Sequence, residues 1–210
     1  KDIITDSTDM APFLTDWRGL FNGSAQAIVF PRSTEQVSAL MAYAQTHNIR
    51  IVPQGGNTGL VGGAIPDNTS SAVILSLSRM KAIRDFSEAN MSMTVEAGCI
   101  LQELQAYAEE RDLYFPLNLA AKGSCTIGGN LATNAGGVNV VRYGNTRDLC
   151  LGLEIVLLGG RVMNLLTPLR KDNTGYDLKN LFIGSEGTLG IITAASMKLF
   201  ALPKARSTAL

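Results

Sequence analysis

The chain has 210 residues, enough for one large domain or two small ones with a packed core. Hydrophobic residues make up 46% and charged residues 17%, which is typical of a globular protein and excludes an intrinsically disordered chain. Lys and Arg together number 18, as do Asp and Glu, and there is no basic stripe. This balance argues against a nucleic-acid-binding protein, which needs a basic face to displace counterions from phosphates.

The sequence indicates neither a membrane span nor a secretion signal. The longest stretch without charge, residues 123–141, is interrupted by Gly, Asn, Thr and Ser. The first residues lack a charged and then apolar signal pattern. Cys99, Cys125 and Cys150 are odd in number and lack C-x-x-C spacing, so they favour neither a disulfide framework nor a zinc site. We expect a reducing compartment: the cytoplasm, or the mitochondrial matrix in a eukaryote.

The first part of the chain predicts a helix, a strand and a glycine-rich loop, in that order. Ser33 and Gln36 have the spacing of a capping box, and apolar residues then recur every three or four positions. We predict an amphipathic helix that ends near Asn48. Residues 49–52 predict a strand that Pro53 should stop, and the loop begins there.

The rest of the chain adds strands and one more helix. Residues 73–77 and 91–97 predict strands, and the second leads into a helix that begins near Leu101. Two apolar runs flank the glycine pair at 159 and 160, which predicts a hairpin because such turns require positive φ. A last strand is predicted from Ile191 toward residue 200.

The order of elements predicts an α+β protein with a mixed early part and an antiparallel later sheet. We divide it into two α+β subdomains, residues 1–90 and 91–205, without a long linker between them.

Glycine is concentrated in three loops. Thirteen of the 21 glycines lie in residues 55–63 (GGNTGLVGG), 123–137 (GSCTIGGNLATNAGG) and 184–190 (GSEGTLG). Glycine suits positions where the backbone takes positive φ or approaches a ligand closely, and successive N–H groups there can surround a phosphate without any lysine. A tight turn is the alternative for any single glycine pair. The spacing fits neither G-x-G-x-x-G nor G-K-[ST], which excludes a Rossmann fingerprint and a P-loop.

The three loops resemble the vanillyl-alcohol oxidase or p-cresol methylhydroxylase type of FAD-binding domain. The motifs are PQGGNTGLVGG at 53–63, GSCTIGGNLATNAGG at 123–137 and GSEGTLGIIT at 184–193. Their flanks, RYGNTRDLCLGLEIVL at 142–157 and LRKDNTGYDLKNLF at 169–182, look most like the D-2-hydroxyglutarate and D-lactate dehydrogenase branch. The resemblance implies a two-subdomain domain that wraps FAD.

The resemblance also implies which residues bind the cofactor. The first loop would contact the pyrophosphate through main-chain N–H groups, the second would continue toward the flavin, and the third would lie by the adenosine part. In chain order the residues implied are Gln54, Gly55, Gly56, Asn57, Thr58, Gly59, Leu60, Pro116, Gly123, Ser124, Thr126, Gly129, Asn130, Thr133, Asn134, Ala135, Gly136, Glu186, Gly187, Gly190 and Ile191.

One departure from the family bears on how FAD is held. Covalent members carry His after the paired glycines of the first loop, whereas this chain has Asn57. We therefore expect noncovalent FAD. The one histidine, His47, is predicted at the end of a helix, where it can interact with the helix dipole.

By resemblance, the protein oxidises a small D-2-hydroxy acid to the 2-oxo acid and passes electrons to an external acceptor. Relatives supply their catalytic His, metal ligands and substrate arginines from a cap domain and a C-terminal region, which we expect beyond Leu210. No residue of this chain is therefore named as catalytic or metal-binding. A noncatalytic FAD-binding module and an FAD subunit of a multi-subunit dehydrogenase are the alternatives.

Overall fold

The fold is taken from a computed structural model that describes residues 2–69 and 71–205. The helices of this part are α1 (Ser7–Met10), α2 (Thr34–Thr46), α3 (Leu101–Glu109), α4 (Ile127–Ala132), α5 (Val140–Tyr143), α6 (Thr146–Leu149) and α7 (Lys179–Phe182). The strands are β1 (Ile3–Ile4), β2 (Ala27–Val29), β3 (Arg50–Gln54), β4 (Ala72–Ser76), β5 (Ile83–Ser87), β6 (Ser92–Glu96), β7 (Leu113–Tyr114), β8 (Cys150–Val156), β9 (Val162–Leu165), β10 (Ile191–Lys198) and β11 (Phe200–Ala201).

The first sheet is mixed, with the strand order β1-β2-β4-β3. β4 pairs in parallel with β2 and β3, whereas β1 pairs antiparallel with β2. The prediction that Pro53 stops its strand was wrong, because β3 continues through Pro53 to Gln54. Since β3 lies at the edge of the sheet, the missing N–H of a proline can face away from the ladder.

The predicted helix that starts at the Ser33 cap and ends near Asn48 is α2, Thr34–Thr46, and its start differs from the prediction in one respect. Ser33 accepts a hydrogen bond from the N–H of Gln36 at 3.4 Å. The Gln36 side chain accepts from the N–H of Arg32 at 2.8 Å, where a capping box would use the N–H of Ser33. The buried side of α2 carries Val37 and Met41, which pack with Leu75 of β4 in one core.

The second sheet is antiparallel, with the order β5-β6-β10-β8-β9. The predicted hairpin is confirmed: β8 pairs with β9, and Gly159 and Gly160 take φ of 84° and 85°. α3 buries Leu101 and Leu104 in the large core that this sheet shares with α4. The α+β class, with a mixed first sheet and an antiparallel second one, is therefore confirmed. The division at residue 90 stays a prediction, and the β5–β6 hairpin spans that position.

A buried carboxylate joins the two halves of the molecule. Glu154, on β8, is 8% exposed, and its Oε1 accepts from the hydroxyls of Thr34 at 2.6 Å and Thr193 at 2.7 Å. The same oxygen accepts from the guanidinium of Arg84 at 3.0 Å, and Arg84 also binds Glu96 at 3.1 Å. These donors belong to α2, β10 and β5, so one carboxylate group links helix α2 to three strands of the second sheet.

The charge of Arg84 matches this environment. Partial burial lowers the pKa of Arg84, but the neighbouring Glu154 and Glu96 carboxylates outweigh burial and hold it above its ordinary value. The guanidinium therefore stays charged, and the two carboxylates keep their counterion.

We expect Arg84→Met to lower the free energy of unfolding by about 2 kcal/mol or more, because it leaves two largely buried carboxylates without their cation. Urea unfolding followed by circular dichroism measures the change. Arg50→Met, which removes an ion pair whose side chains are 54% and 51% exposed, is the control and should change it by less than about 1 kcal/mol. Equal losses in both variants would contradict this account of the network.

Candidate cofactor-binding cleft

A cleft of about 350 Å³ opens where the three glycine-rich segments meet. This volume is within the range of small-molecule and cofactor sites. The predicted cofactor residues that line it are Gln54, Gly55, Gly56, Asn57, Thr58, Gly59, Thr126, Gly129, Asn130, Thr133, Ala135, Glu186, Gly187, Gly190 and Ile191. The structure thus brings residues of all three motifs to one place.

The first and second segments touch through glycine. A methyl group on Gly56 would lie 2.0 Å from the main-chain oxygen of Ser124, and one on Gly55 would lie 2.4 Å from the hydroxyl oxygen of Thr126. Atoms do not approach so closely without displacement, so neither position has room for a side chain. These two glycines allow the loops to pack on each other.

The third segment closes against both of the others. A methyl group on Gly187 would lie 2.4 Å from the ring of Pro53 at the start of the first loop. The N–H of Glu186 donates to the carbonyl of Ala132 at 2.9 Å, and the N–H of Gly184 donates to the carbonyl of Leu131 at 3.0 Å. The end of α4 therefore anchors the third segment.

The second segment is also fixed to the sheet beneath it. The N–H of Gly128 donates to the carbonyl of Ala97 at 2.8 Å, and a methyl group on Gly128 would lie 2.7 Å from the Ala97 Cβ. Ile127 and Leu131 of α4 are fully buried in the large core. The wall of the cleft is thereby held by Ala97, which directly follows strand β6, and by apolar packing.

The cleft has the electrostatic character of a main-chain anion site. Glu186 is the one charged residue among the described residues that line it, so no Lys or Arg supplies positive charge there. Within the described part of the chain, the N–H groups of residues 56–60 have no hydrogen-bond acceptor. Consecutive free N–H groups can surround a phosphate by their dipoles alone.

Two buried polar atoms on the cleft wall have no hydrogen-bond partner within the described part of the chain. They are the hydroxyl oxygen of Thr126 and the amide oxygen of Asn130, in residues that are 5% and 4% exposed. A buried polar atom without a hydrogen bond is unfavourable by about 1–3 kcal/mol. A ligand that offers hydroxyl or N–H donors as well as phosphate would satisfy the site, and a dinucleotide cofactor has both kinds of group.

The comparison with known protein families supports this interpretation. A family model described as an FAD binding domain matches residues 25–166. The chain belongs to the FAD binding domain family. The match covers β2 to β9 and includes the first and second glycine segments, and it identifies the cofactor of this domain as FAD.

Several relatives share most of this FAD binding domain. A mitochondrial D-2-hydroxyglutarate dehydrogenase of Bos taurus is 50% identical over 195 residues, which are 93% of this chain and 36% of that protein. A D-2-hydroxyglutarate–pyruvate transhydrogenase of Saccharomyces cerevisiae is 42% identical over 197 residues, 94% of this chain and 39% of that protein. The chain thus spans well under half the length of these relatives. The resemblance to this dehydrogenase branch is confirmed.

A solved structure confirms the fold of the FAD binding domain. Alkyldihydroxyacetonephosphate synthase superposes with a TM-score of 0.86 at 27% identity, over 97% of this chain and 38% of its own. Its likeness extends beyond the family match to nearly the whole chain, including the third glycine segment.

Some predicted cofactor residues do not line the cleft: Leu60, Pro116, Gly123, Ser124, Asn134 and Gly136. Two of them have contacts inside the protein, since the Asn134 side chain accepts from the N–H of Arg147 at 3.0 Å and the Pro116 carbonyl accepts from Asn139 at 2.8 Å. Whether any of the predicted residues contacts FAD stays a prediction.

Sequence reasoning missed other lining residues of the FAD binding domain. They are Pro53, Val61, Gly63, Ala64, Leu77, Leu119, Ala120, Ala121, Cys125, Gly128, Ala132 and Ile192. Several stand inside or beside the motifs and could have been found by extending them. Leu77 comes from another part of the chain and carries no local signal.

The cysteines and the histidine have ordinary structural environments. The three cysteines are free and buried, and burial raises the pKa of the Cys125 thiol, so it is a packing residue of the cleft wall. His47 is at the C-terminal cap of α2 as predicted, 4.1 Å from the ring of Tyr43, and does not line the cleft.

Among residues 2–69 and 71–205, no helix has the length and apolar character needed to cross a membrane. In the same ranges, no group of three or more His, Cys, Asp or Glu residues could hold a metal ion.

Two glycines of the first loop provide a matched test of loop packing. Gly56→Ala should lower the free energy of unfolding of the FAD-free protein by about 1–3 kcal/mol, because the methyl group meets the Ser124 carbonyl. Gly59→Ala should leave it within about 0.5 kcal/mol, because no atom lies within 4 Å of the added carbon. Urea unfolding decides, and similar values for both variants would show that the contact is not tight.

Proposed function

We propose that the chain is the FAD-binding part of a dehydrogenase that oxidises a D-2-hydroxy acid, of the 2-hydroxyglutarate or lactate type, to the 2-oxo acid. The observation that carries the proposal is the 50% identity with a protein named D-2-hydroxyglutarate dehydrogenase, across 93% of this chain. Bound FAD supplies the hydride acceptor of such a reaction. The protein would take a small 2-hydroxy acid and an external electron acceptor as its partners.

The residues of the cleft support a division of labour around FAD. We assign the pyrophosphate to the free N–H groups of residues 56–59, since the described residues that line the cleft include no basic side chain for it. The unpartnered oxygens of Thr126 and Asn130 would bind donor groups of the ribityl chain or the flavin edge. Glu186, the one carboxylate on the wall, would lie away from the phosphates, by the adenosine part.

We further propose that the flavin is noncovalent. Asn57 stands where covalent relatives carry His, and an amide does not form such a bond to the flavin. Its nitrogen already donates to the carbonyl of Thr15 at 2.9 Å. FAD would be kept by packing and hydrogen bonds alone.

The chemistry on the substrate side needs groups that the cleft lacks. Its wall has no His, Lys or Arg, and the described residues hold no metal-ligand cluster. We propose that a base, metal ligands and carboxylate-binding residues come from a cap and a C-terminal domain of the complete protein. The two sheets described here would form the two subdomains on either side of FAD. The Bos taurus relative is named as mitochondrial, which supports a matrix location in a eukaryote and a cytoplasmic one otherwise.

A noncatalytic FAD-binding module is the second candidate. It is favoured for this chain in isolation because the described residues of the cleft wall include no His, Lys or Arg, and their one carboxylate, Glu186, is assigned to the adenosine part. Such a module, or an FAD subunit of a larger dehydrogenase, would retain flavin without being reduced by a hydroxy acid.

A buried hydroxyl distinguishes ligand binding from a structural role. We expect Thr126→Val to leave the FAD-free protein as stable as before or up to about 1 kcal/mol more stable, because the hydroxyl has no partner, while the Kd for FAD rises about tenfold. The control is Thr146→Val. That hydroxyl is buried and donates to Ala135 at 2.7 Å, so its loss should destabilise the FAD-free protein by about 1–2 kcal/mol. Loss of stability without loss of FAD affinity in Thr126→Val would reject the assignment.

Flavin spectra test the function itself. The complete protein should purify with flavin absorbance that bleaches under anaerobic conditions with D-2-hydroxyglutarate or D-lactate and not with the L enantiomers. Acid precipitation of the same sample should release the flavin into the supernatant. Flavin that no D-2-hydroxy acid reduces would favour the noncatalytic module, and a preparation that retains no flavin would refute FAD binding.

A further inference from the structure

A segment near the N-terminus lies against the first glycine loop from outside the cleft. We call residues 13–23 the N-terminal loop. The Asn57 side chain donates to the carbonyl of Thr15 at 2.9 Å, and the Gln54 side chain donates to the carbonyl of Phe13 at 2.9 Å. The family match begins at residue 25, so these contacts join the FAD binding domain to a segment outside that match.

The N-terminal loop has its own internal order. Asp16 is 4% exposed, and its carboxylate accepts from the N–H of Phe21 at 2.7 Å and of Arg18 at 3.2 Å. Thr15 donates its hydroxyl to the side chain of Asn22 at 2.7 Å. Asp16 therefore closes a preformed turn that can serve as a support.

The N-terminal loop is packed on the first glycine loop as well as bonded to it. A methyl group on Gly62 would lie 2.7 Å from the ring of Phe21, so the ring rests directly on this glycine. Gln54 is 1% exposed and donates a second bond, at 2.9 Å, to the carbonyl of Ala64. Its amide thus ties the start of the glycine loop to its end and to the N-terminal loop.

The bond between Asn57 and the N-terminal loop depends on the backbone conformation of Asn57. Asn57 has φ of 50°, a left-handed conformation that Asn adopts more readily than most residues. In this conformation its side chain bonds outward to Thr15, while the N–H groups of residues 56–60 have no acceptor among the described residues. The Asn57 side chain therefore bonds to the N-terminal loop, whereas the main-chain N–H groups of the same short loop stay available to a ligand.

We infer that Gln54 and Asn57 are positioning residues. By fastening the first glycine loop to the N-terminal loop, they hold the free N–H groups of residues 56–59 in the arrangement that binds the FAD pyrophosphate. The inference rests on the proposed FAD site. It goes beyond the cofactor contacts by giving the two side chains a role outside the cleft and by making the N-terminal loop part of the cofactor site.

The main test is Asn57→Gly, because glycine tolerates the positive φ and removes the side-chain amide. We expect the Kd for FAD, measured by fluorescence titration of the FAD-free protein, to rise about three- to tenfold, the effect of one lost hydrogen bond. Asn173→Gly, the same change in an exposed loop away from the cleft, is the control and should leave the Kd unchanged. Circular dichroism and urea unfolding verify that each variant is folded.

A double-mutant cycle separates the proposed support from added backbone flexibility. Asp16→Ala opens the turn of the N-terminal loop without touching the glycine loop. If both residues act through the same support, the double variant with Asn57→Gly should bind FAD no more weakly than the worse single variant. Fully additive losses would show that Asn57 does not act through the N-terminal loop and would overturn the inference.

Hydrogen exchange gives an independent measurement. Coupling is reciprocal, so FAD binding should slow exchange at the N–H groups of Phe21 and Gly23 in the wild type and do so less in Asn57→Gly. If the variant binds FAD within twofold of wild type and FAD leaves those amides unchanged, the inference is wrong while the proposed FAD site stands. A wild-type protein that binds no FAD would overturn both.

Discussion

The buried carboxylate of Glu154 is the interaction on which the arrangement of the two sheets depends. One of its oxygens accepts from Thr34 at the start of α2, from Arg84 on β5 and from Thr193 on β10. Such a network is stabilising only when every member is in place, because an unpaired buried charge is strongly unfavourable. Thr193 follows the cleft residue Ile191 by two positions on β10. The hydrogen bonds that join α2 to the second sheet therefore also hold β10, the strand that contributes Ile191 to one wall of the cleft.

The glycine loops show how a cofactor site can be built before any cofactor is considered. Gly55 and Gly56 face the second segment, and Gly187 faces Pro53, so these glycines are required by contacts within the protein. In the same loop a run of N–H groups has no acceptor among the described residues, and none of the described residues that line the cleft is basic. Packing and anion binding are thus two consequences of one arrangement, and a glycine count alone does not separate them.

Periodicity in the sequence predicts the longer elements well, and it fails where the structure depends on distant partners. α2, α3 and the β8–β9 hairpin carry strong local signals and were found. β1 and β2, with two and three residues, are too short to show a period. The sequence of β5, IRDFS, is too polar to indicate a buried strand. Its Arg84 pairs with Glu154, and this distant partner cannot be recognised from the neighbouring residues.

The same distinction applies to the cleft. Motifs identified the glycine segments, whereas Leu77 reaches the wall only through the fold. The extension of β3 through Pro53 likewise depends on its place at a sheet edge.

Position 57 shows how far a motif can be interpreted. The sequence indicates only that the residue is not His, and from this it predicts a noncovalent flavin. The structure adds that the amide of Asn57 is bonded to Thr15, outside the cleft. Without a covalent bond, retention of FAD depends on how well ordered the N–H groups of the loop are before binding. The conformational entropy that the loop loses on binding weakens the affinity. The hydrogen bond from Asn57 to Thr15, on the outer side of the loop, reduces that entropy loss. Asn57 would thus favour cofactor binding without itself bonding to the cofactor.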